Sequence, residues 1–291
     1  MFDLKVDDDK LRRELLDSVD KVLQHGRIML GPEVMMLEEE IAKFVGTKYA
    51  LGVDSGSSAL YLALKSIGIG PGDEVITTPL TWIITLHAIS TCGATPVCVD
   101  IGDDLNINPE AIESAITKST KAIVPMHYSG QMCDMGRICE IAKKNNLFVV
   151  EDAAQAFGSE YKSKKAGSFS VAGAFSMNSM KPLAGYGEAG VIVTDEKEVY
   201  EKLRMLRHAG TQSDPKKVIT NEGFYVSLNH KMDTIQAAML LIAMKNLPAK
   251  MARKNDIAKK YFKGLSGLVK CPEVLEGDPP EGLTRTLQNL S

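Results

Sequence analysis

In the stretch AFSMNSMKPLAGYGEAGVIVTD (174–195), Lys181 is the single lysine, with Ser176 five residues before it and the pair Gly187-Glu188 after it. Both flanks read as apolar strand. A lysine in such a loop is either solvated or a buried amine held for chemistry. Three other stretches bear on that choice. SGSSAL (55–60) is a small-residue turn leading into a helix. It offers backbone N–H groups at the positive end of the helix dipole, which suits a phosphate; the plainer reading is that Ser57 caps the helix. VVEDAAQAFG (149–158) ends an apolar strand on Glu151 and Asp152. A carboxylate there is costly unless it meets a cation or hydrogen-bond donors, or caps a helix over 153–157. Trp82, the only tryptophan, follows a strand at a helix start, where it is either core or a stacking platform.

Together these residues ask for one ligand with a phosphate, a flat ring, a basic ring nitrogen and a carbon that takes an amine. Pyridoxal phosphate has all four. A lysine forms a Schiff base with its aldehyde, and an acid partner keeps its pyridine protonated as an electron sink.

The elements that must position these residues alternate. Helical periodicity over 8–24 and 34–44 is followed by helix at 59–67, 83–91, 109–116 and 135–144. Between them lie strands at 73–78, 96–101, 121–128 and 147–152. Short apolar runs separated by helices predict a mostly parallel sheet covered on both faces. The strands at 173–177 and 190–195 are joined by a link too short for a helical crossover, so one of them is expected to run antiparallel. A helix at 196–208, an apolar helix at 233–247 and a charged amphipathic helix to about 264 follow, with a strand expected over 267–274. The resulting division is a large domain, 1–247, and a short, incomplete small domain, 248–291.

Composition narrows the class. The chain has 291 residues, a formal charge of −3, 44% hydrophobic and 24% charged residues, which is ordinary for a soluble globular protein. Nothing in that balance points to nucleic acid or to an anionic membrane. The lysines at 250, 254, 259 and 260 read as the wet face of a helix. The five cysteines, Cys92, Cys98, Cys133, Cys139 and Cys271, include no C-x-x-C pair, so neither a disulfide framework nor a metal site is expected, and a cytoplasmic location fits. The charged N-terminus does not read as a secretory signal, and no run is long enough to span a membrane.

From about residue 26 to 264 the chain resembles the fold-type I sugar aminotransferases of the DegT/DnrJ/StrS group. The segments that carry the likeness are GRIMLGPEV, SGSSALYLAL, PGDEVITTPLTWIIT, GATPVCVDI, VEDAAQAFGS, FSMNSMKPLAGYGEAG and SLNHKMDTIQAAML, in that order. The resemblance implies that Lys181 is the cofactor lysine and Asp152 the partner of the ring nitrogen. It implies that Gln155 bonds the ring hydroxyl, that Trp82 stacks on the ring, and that Gly56, Ser57, Ser58 and Ser176 hold the phosphate. Asn229 lies where the group reaches the phosphate of a neighbouring protomer, which implies a homodimer with shared active sites. Glu188 matches the acidic residue of a Gly-Glu-Gly-Gly turn. Gly185 and Gly187 are expected to let the backbone bend close to the cofactor.

The implied activity is transfer of an amino group, from glutamate as donor, to a nucleotide-linked keto sugar. Met177 and Asn178 depart from the aromatic and histidine common in the group, which bears on substrate contacts. Members of the group are also longer than this chain. The competing reading is therefore a truncated cofactor-binding pseudoenzyme without a complete sugar pocket. A nucleotide-binding oxidoreductase would need a G-x-G-x-x-G after the first strand, which is absent. The dehydrase branch of the group has histidine in place of the lysine, so Lys181 favours amine transfer.

Overall fold

The computed structural model describes residues 4–212, 222–265, 268 and 283–284. In chain order the elements are α1 (Asp9–His25), α2 (Pro32–Val45), β1 (Tyr49–Val53), α3 (Gly56–Ser66), β2 (Glu74–Thr77), α4 (Ile84–Thr91), β3 (Thr95–Cys98), α5 (Pro109–Ala115) and β4 (Thr120–Ile123). They continue with α6 (Met135–Lys144), β5 (Phe148–Asp152), β6 (Glu160–Tyr161), β7 (Lys164–Lys165), β8 (Ala172–Ser176), β9 (Gly190–Thr194), α7 (Lys197–Arg207), α8 (Thr234–Leu265) and β10 (Leu283–Thr284).

Seven strands form one sheet in the order β1-β9-β8-β5-β4-β2-β3. β9 is antiparallel to both its neighbours, and every other adjacent pair is parallel. The expected mostly parallel mixed sheet is the observed one, and the antiparallel member of the pair flagged by the short link is β9. Alternate side chains feed two apolar layers, as the strand period demands. Ile76, Ile123, Val149, Phe175, Val191 and Val193 pack with α2, α6 and α8 on one face. Val75, Ala122, Val150, Ala174 and Ile192 pack with α3, α4 and α7 on the other.

Two details differ from the pattern-based expectation. The strand expected over 121–128 is hydrogen-bonded as β4 only to Ile123, because Pro125 has no N–H to give the ladder. Its carbonyl still accepts from Asp152 N at 2.9 Å, and Met126 bridges Asp152. The two helices expected after residue 233 are one helix of 32 residues with Pro248 inside it. Packing of this helix against α1 and α2 holds it through the proline. The strand expected over 267–274 lies outside the described residues, apart from Leu268. Among the described residues no helix is long and apolar enough to cross a membrane.

Candidate active site

In a parallel sheet the groups at the carboxyl ends of the strands converge on one crevice. Here β1 delivers Ser55 and Gly56, β2 delivers Trp82 and Thr85, β5 delivers Asp152, and β8 delivers Ser176 and the loop with Lys181.

At the start of α3 the cap is Ser55, not Ser57: its Oγ accepts from Ser58 N at 3.2 Å. A turn of S-G-S-S offers three serines, and only the one with extended backbone, three residues before a bonded N–H, caps the helix. Ser57 is exposed, while Ser58 is buried and its Oγ lies 2.8 Å from His230 Nδ1. Burial tends to raise the carboxyl of neighbouring Asp54, but the nearby polar groups of His230, whose Nδ1 lies 3.8 Å from Asp54 Oδ1, and of Ser58 outweigh it and hold that carboxyl below its ordinary value.

Three backbones meet where α3 begins. A Cβ on Gly56 would stand 2.5 Å from Ser176 Cβ, and a Cβ on Gly190 would stand 2.3 Å from Ser55 O. Glycine at both positions lets the helix start lie directly against Ser176. The glycines of the lysine loop work differently from the expectation. Neither Gly185 nor Gly187 has a positive φ. Each leaves room for Gln236 of α8, whose Nε2 would be 2.8 Å from a Cβ on Gly187 and donates to Tyr186 O at 3.3 Å.

Lys181 is half-buried. Burial holds its amine below the ordinary lysine value, against the opposing attraction of Asp152 and Glu188. Asn178 shapes the turn that presents it. Its carbonyl accepts from Lys181 N at 2.9 Å, its Oδ1 from Met180 N at 3.0 Å, and its Nδ2 donates to Glu188 Oε1. Asn178 is thus a structural member of the site that reading it as a departure from a pattern did not reveal.

Asp152 is 4% exposed, and burial raises its carboxyl above the ordinary value. Opposing that are Thr85 Oγ1, which donates to Oδ2 at 2.7 Å, Ala154 N, which donates to Oδ1 at 3.2 Å, and the charges of Lys181 and His127. The helix expected over 153–157 is a turn, so Asp152 caps no helix. Glu151 points to the opposite face and is fully engaged, accepting from His127 Nε2, Gly167 N, Phe169 N and Ser170 Oγ. Gln155 Oε1 accepts from Ser129 N at 2.8 Å, which leaves its amide NH2 as the group on offer. Trp82 is 70% exposed, which rules out the core reading of that residue. Asn229 is exposed too; it bridges His208 and lies beside His230.

The geometry sets Gly56 against Ser176, and Lys181 and Asp152 are near enough for each charge to act on the other. It leaves Trp82 and Asn229 on the surface around them. Sequence reasoning missed Thr85, a polar residue within an otherwise apolar helix start, and Gly190, whose signal lay only in its place at the head of β9.

The family model of the DegT/DnrJ/EryC1/StrS aminotransferase family matches residues 9–281, and the chain belongs to that family. Among its relatives is the spore coat polysaccharide biosynthesis protein SpsC of Bacillus subtilis (strain 168), 42% identical over 267 residues, covering 88% of this chain and 68% of the relative. Another is dTDP-3-amino-3,4,6-trideoxy-alpha-D-glucose transaminase of Streptomyces venezuelae, 40% identical over 268 residues, covering 92% and 69%. A solved structure of S. venezuelae DesV in complex with a ketimine intermediate superposes with a TM-score of 0.89 at 37% identity, covering 98% of this chain and 75% of that one.

Proposed function

We propose that this protein transfers an amino group from glutamate to the ketone of a nucleotide-linked sugar, in the making of amino sugars for surface polysaccharides. The observation that carries the reading is the pairing of a half-buried amine, Lys181, with a buried carboxylate, Asp152, each close enough to shift the other's proton affinity. The relatives named as a nucleotide-sugar transaminase and a polysaccharide biosynthesis protein support the substrate class.

The cofactor is pyridoxal 5'-phosphate, and the donor set fits it: one amine, one buried carboxylate, and a hydroxyl set against a helix N-terminus. When bound, it supplies an aldehyde for the amine and a ring that accepts electrons. Ser176 and the start of α3, Gly56 to Ser58, hold the phosphate. Asp152 pairs with the ring nitrogen, Gln155 donates its amide to the ring hydroxyl, and Trp82 covers one ring face. Lys181, with its amine already biased towards the neutral form, takes a proton at Nζ and returns it elsewhere on the substrate. Residues 1–247 serve as the cofactor-binding domain and 248–291 as the start of a small domain.

The active sites are shared between two copies of the chain. Support comes from the stretch leading to Asn229, where Phe224, Val226 and Leu228 are 54%, 92% and 70% exposed. Apolar side chains left uncovered in succession fit a protein interface. In that pair Asn229 of one copy reaches the phosphate of the other. A cytoplasmic location agrees with the free thiols of Cys92, Cys98, Cys133 and Cys139.

Borohydride reduction of the protein loaded with pyridoxal phosphate is expected to fix the label on the peptide containing Lys181. Label on another lysine overturns the assignment. Glutamate alone should then be converted to 2-oxoglutarate in a single turnover, and a survey of nucleotide-linked keto sugars identifies the acceptor. A protein that takes the label but leaves glutamate untouched is a binding protein and not a transferase.

A further inference from the structure

Burial disfavours a charge on Asp152, so the groups that would stabilise one there matter. Its Oδ2 accepts from Thr85 Oγ1 at 2.7 Å, and Thr85 is itself only 1% exposed. Thr85 Oγ1 also lies 2.7 Å from Thr81 Oγ1. The direction of this chain follows from chemistry. A carboxylate only accepts, so the one hydroxyl proton of Thr85 goes to Asp152, and the Thr85 oxygen then accepts from Thr81. The backbone ties the same turn to the tryptophan: Thr85 N donates to Trp82 O at 3.0 Å.

We propose that Thr81 and Thr85 form a hydroxyl relay that holds Asp152 as an oriented carboxylate, which makes Thr85 a positioning residue for the partner of the cofactor's ring nitrogen. The proposal rests on the cofactor role read for Asp152 above. Two aligned donors polarise one another, so the terminal bond to the carboxylate is stronger than an isolated hydroxyl would make it. The titratable groups that act on Asp152 are Lys181, from the loop after β8, and His127, from the segment after β4, whose ring bonds Glu151 on the opposite face; both favour its charged form. With Ala154 N, the relay is the neutral contribution, and it persists when Lys181 changes its protonation. It reaches the carboxylate from α4, so one helix start sets both the ring-stacking residue and the orientation of the acid.

The test uses pyridoxamine 5'-phosphate, whose amine makes no bond with Lys181, so that binding reads only non-covalent contacts. Quenching of Trp82, the single tryptophan, reports it. Affinity is measured from pH 6 to 9 for the wild type, Thr85→Val and Thr85→Ser. Thr85→Val should weaken binding about tenfold or more, the loss of one hydrogen bond to a charged acceptor. The pH below which binding fails should also move upward, because a carboxyl without its donor keeps its proton longer. Thr85→Ser should restore both. Wild-type binding by Thr85→Val at every pH overturns the relay, as does a Thr85→Ser variant as weak as Thr85→Val. If Thr85→Val does not fold, Thr81→Val decides: a smaller upward shift supports the relay and an unchanged profile overturns it. Failure of the wild type to bind at all overturns the cofactor assignment itself, which separates the two conclusions.

Discussion

Replacing Gly56 with alanine sets two effects against each other. Gly56 is the first residue of α3, and alanine in a helix is favoured over glycine by up to about 1 kcal/mol. Its φ is not positive, so the backbone would accept a side chain without strain. Helix propensity alone therefore predicts a stabilised protein. The added Cβ, however, would stand 2.5 Å from Ser176 Cβ and 2.9 Å from both Ser176 Cα and Oγ. Carbons in contact sit about 3.6 Å apart, so roughly 1 Å of separation must be found. Two of the three obstructing atoms cannot rotate away: Cα belongs to the backbone of β8, and Cβ is fixed to it. The shift must move β8 or the start of α3, and overpacking of this kind costs about 1–3 kcal/mol. The upper end applies, leaving about 2 kcal/mol of destabilisation after the helix gain. For a chain of 291 residues that corresponds to a melting temperature lower by roughly 3 °C. Pyridoxal phosphate affinity should fall as well, by about tenfold, because the phosphate donors of α3 and Ser176 no longer share one geometry. Calorimetry and cofactor titration check both numbers. Gly70→Ala, where the nearest atom to a Cβ is Gly68 O at 4.0 Å, is the control and should melt like the wild type. A Gly56→Ala protein that melts at or above the wild-type temperature and binds the cofactor normally would refute the steric argument.

Arg207 Nη1 donates to Glu38 Oε1 at 2.6 Å and to Gly52 O at 3.0 Å, tying α7 to α2 and β1; Arg207→Met should cost about 3 kcal/mol in urea denaturation by leaving Glu38 buried without its partner cation, held only by Gly52 N at 2.7 Å. Burial already raises the Glu38 carboxyl above its ordinary 4.5 and Arg207 opposes that, so in the variant the folded state binds its proton more tightly than the unfolded chain does. The deficit should then grow only once pH passes the wild type's own raised value, which lies above 4.5, and shrink in acid; a deficit independent of pH counts against the pair. Amine acylation followed by mass spectrometry should find Lys181 of the cofactor-free protein reactive below the ordinary lysine value of 10.5, and at lower pH still in Asp152→Ala, since the carboxylate opposes the effect of burial. An unchanged value in that variant would mean that the two groups do not interact. Mixing inactive Lys181→Ala with inactive Asn229→Ala under subunit exchange should restore activity in hybrids, where one site keeps both residues; a chain that sediments only as monomer while holding its cofactor excludes shared sites.

The parts of the fold that could be read in advance are those where period and polarity agree. Apolar runs such as those of β2, β5 and β9 are bounded by turns and helices, so strand and helix were distinguishable there. The carboxylate at the end of β5 and the lysine after β8 stood out because an ionisable group beside a buried strand needs a reason. What escaped depends on contacts between residues far apart in the chain. Nothing near Ser58 announces His230, and nothing near Glu38 announces Arg207. Thr85 looks like an ordinary helix residue until Asp152 is placed against it. Pro248 marked a helix end by local rules, but packing on α1 and α2 overrides them. The choice of Ser55 over Ser57 as cap turned on a backbone angle that four small residues leave open.

The strand β9 runs between β1 and β8, with Tyr49 opposite Thr194 and Ser176 opposite Gly190. This arrangement gives synthesis and folding a fixed order. When β1 leaves the ribosome it has no strand to pair with, and it stays unpaired until the chain through Thr194 has been made. Closing so long a loop is slow, and until then β1 is a bare edge open to the wrong partner. The contact of Gly56 with Ser176 forms in that same late step, because β9 sets the spacing between the two strands that carry them. The phosphate cradle proposed at Gly56 and Ser176 is therefore among the last features of this sheet to be assembled, and a cofactor bound there would stabilise the finished sheet rather than guide its early stages.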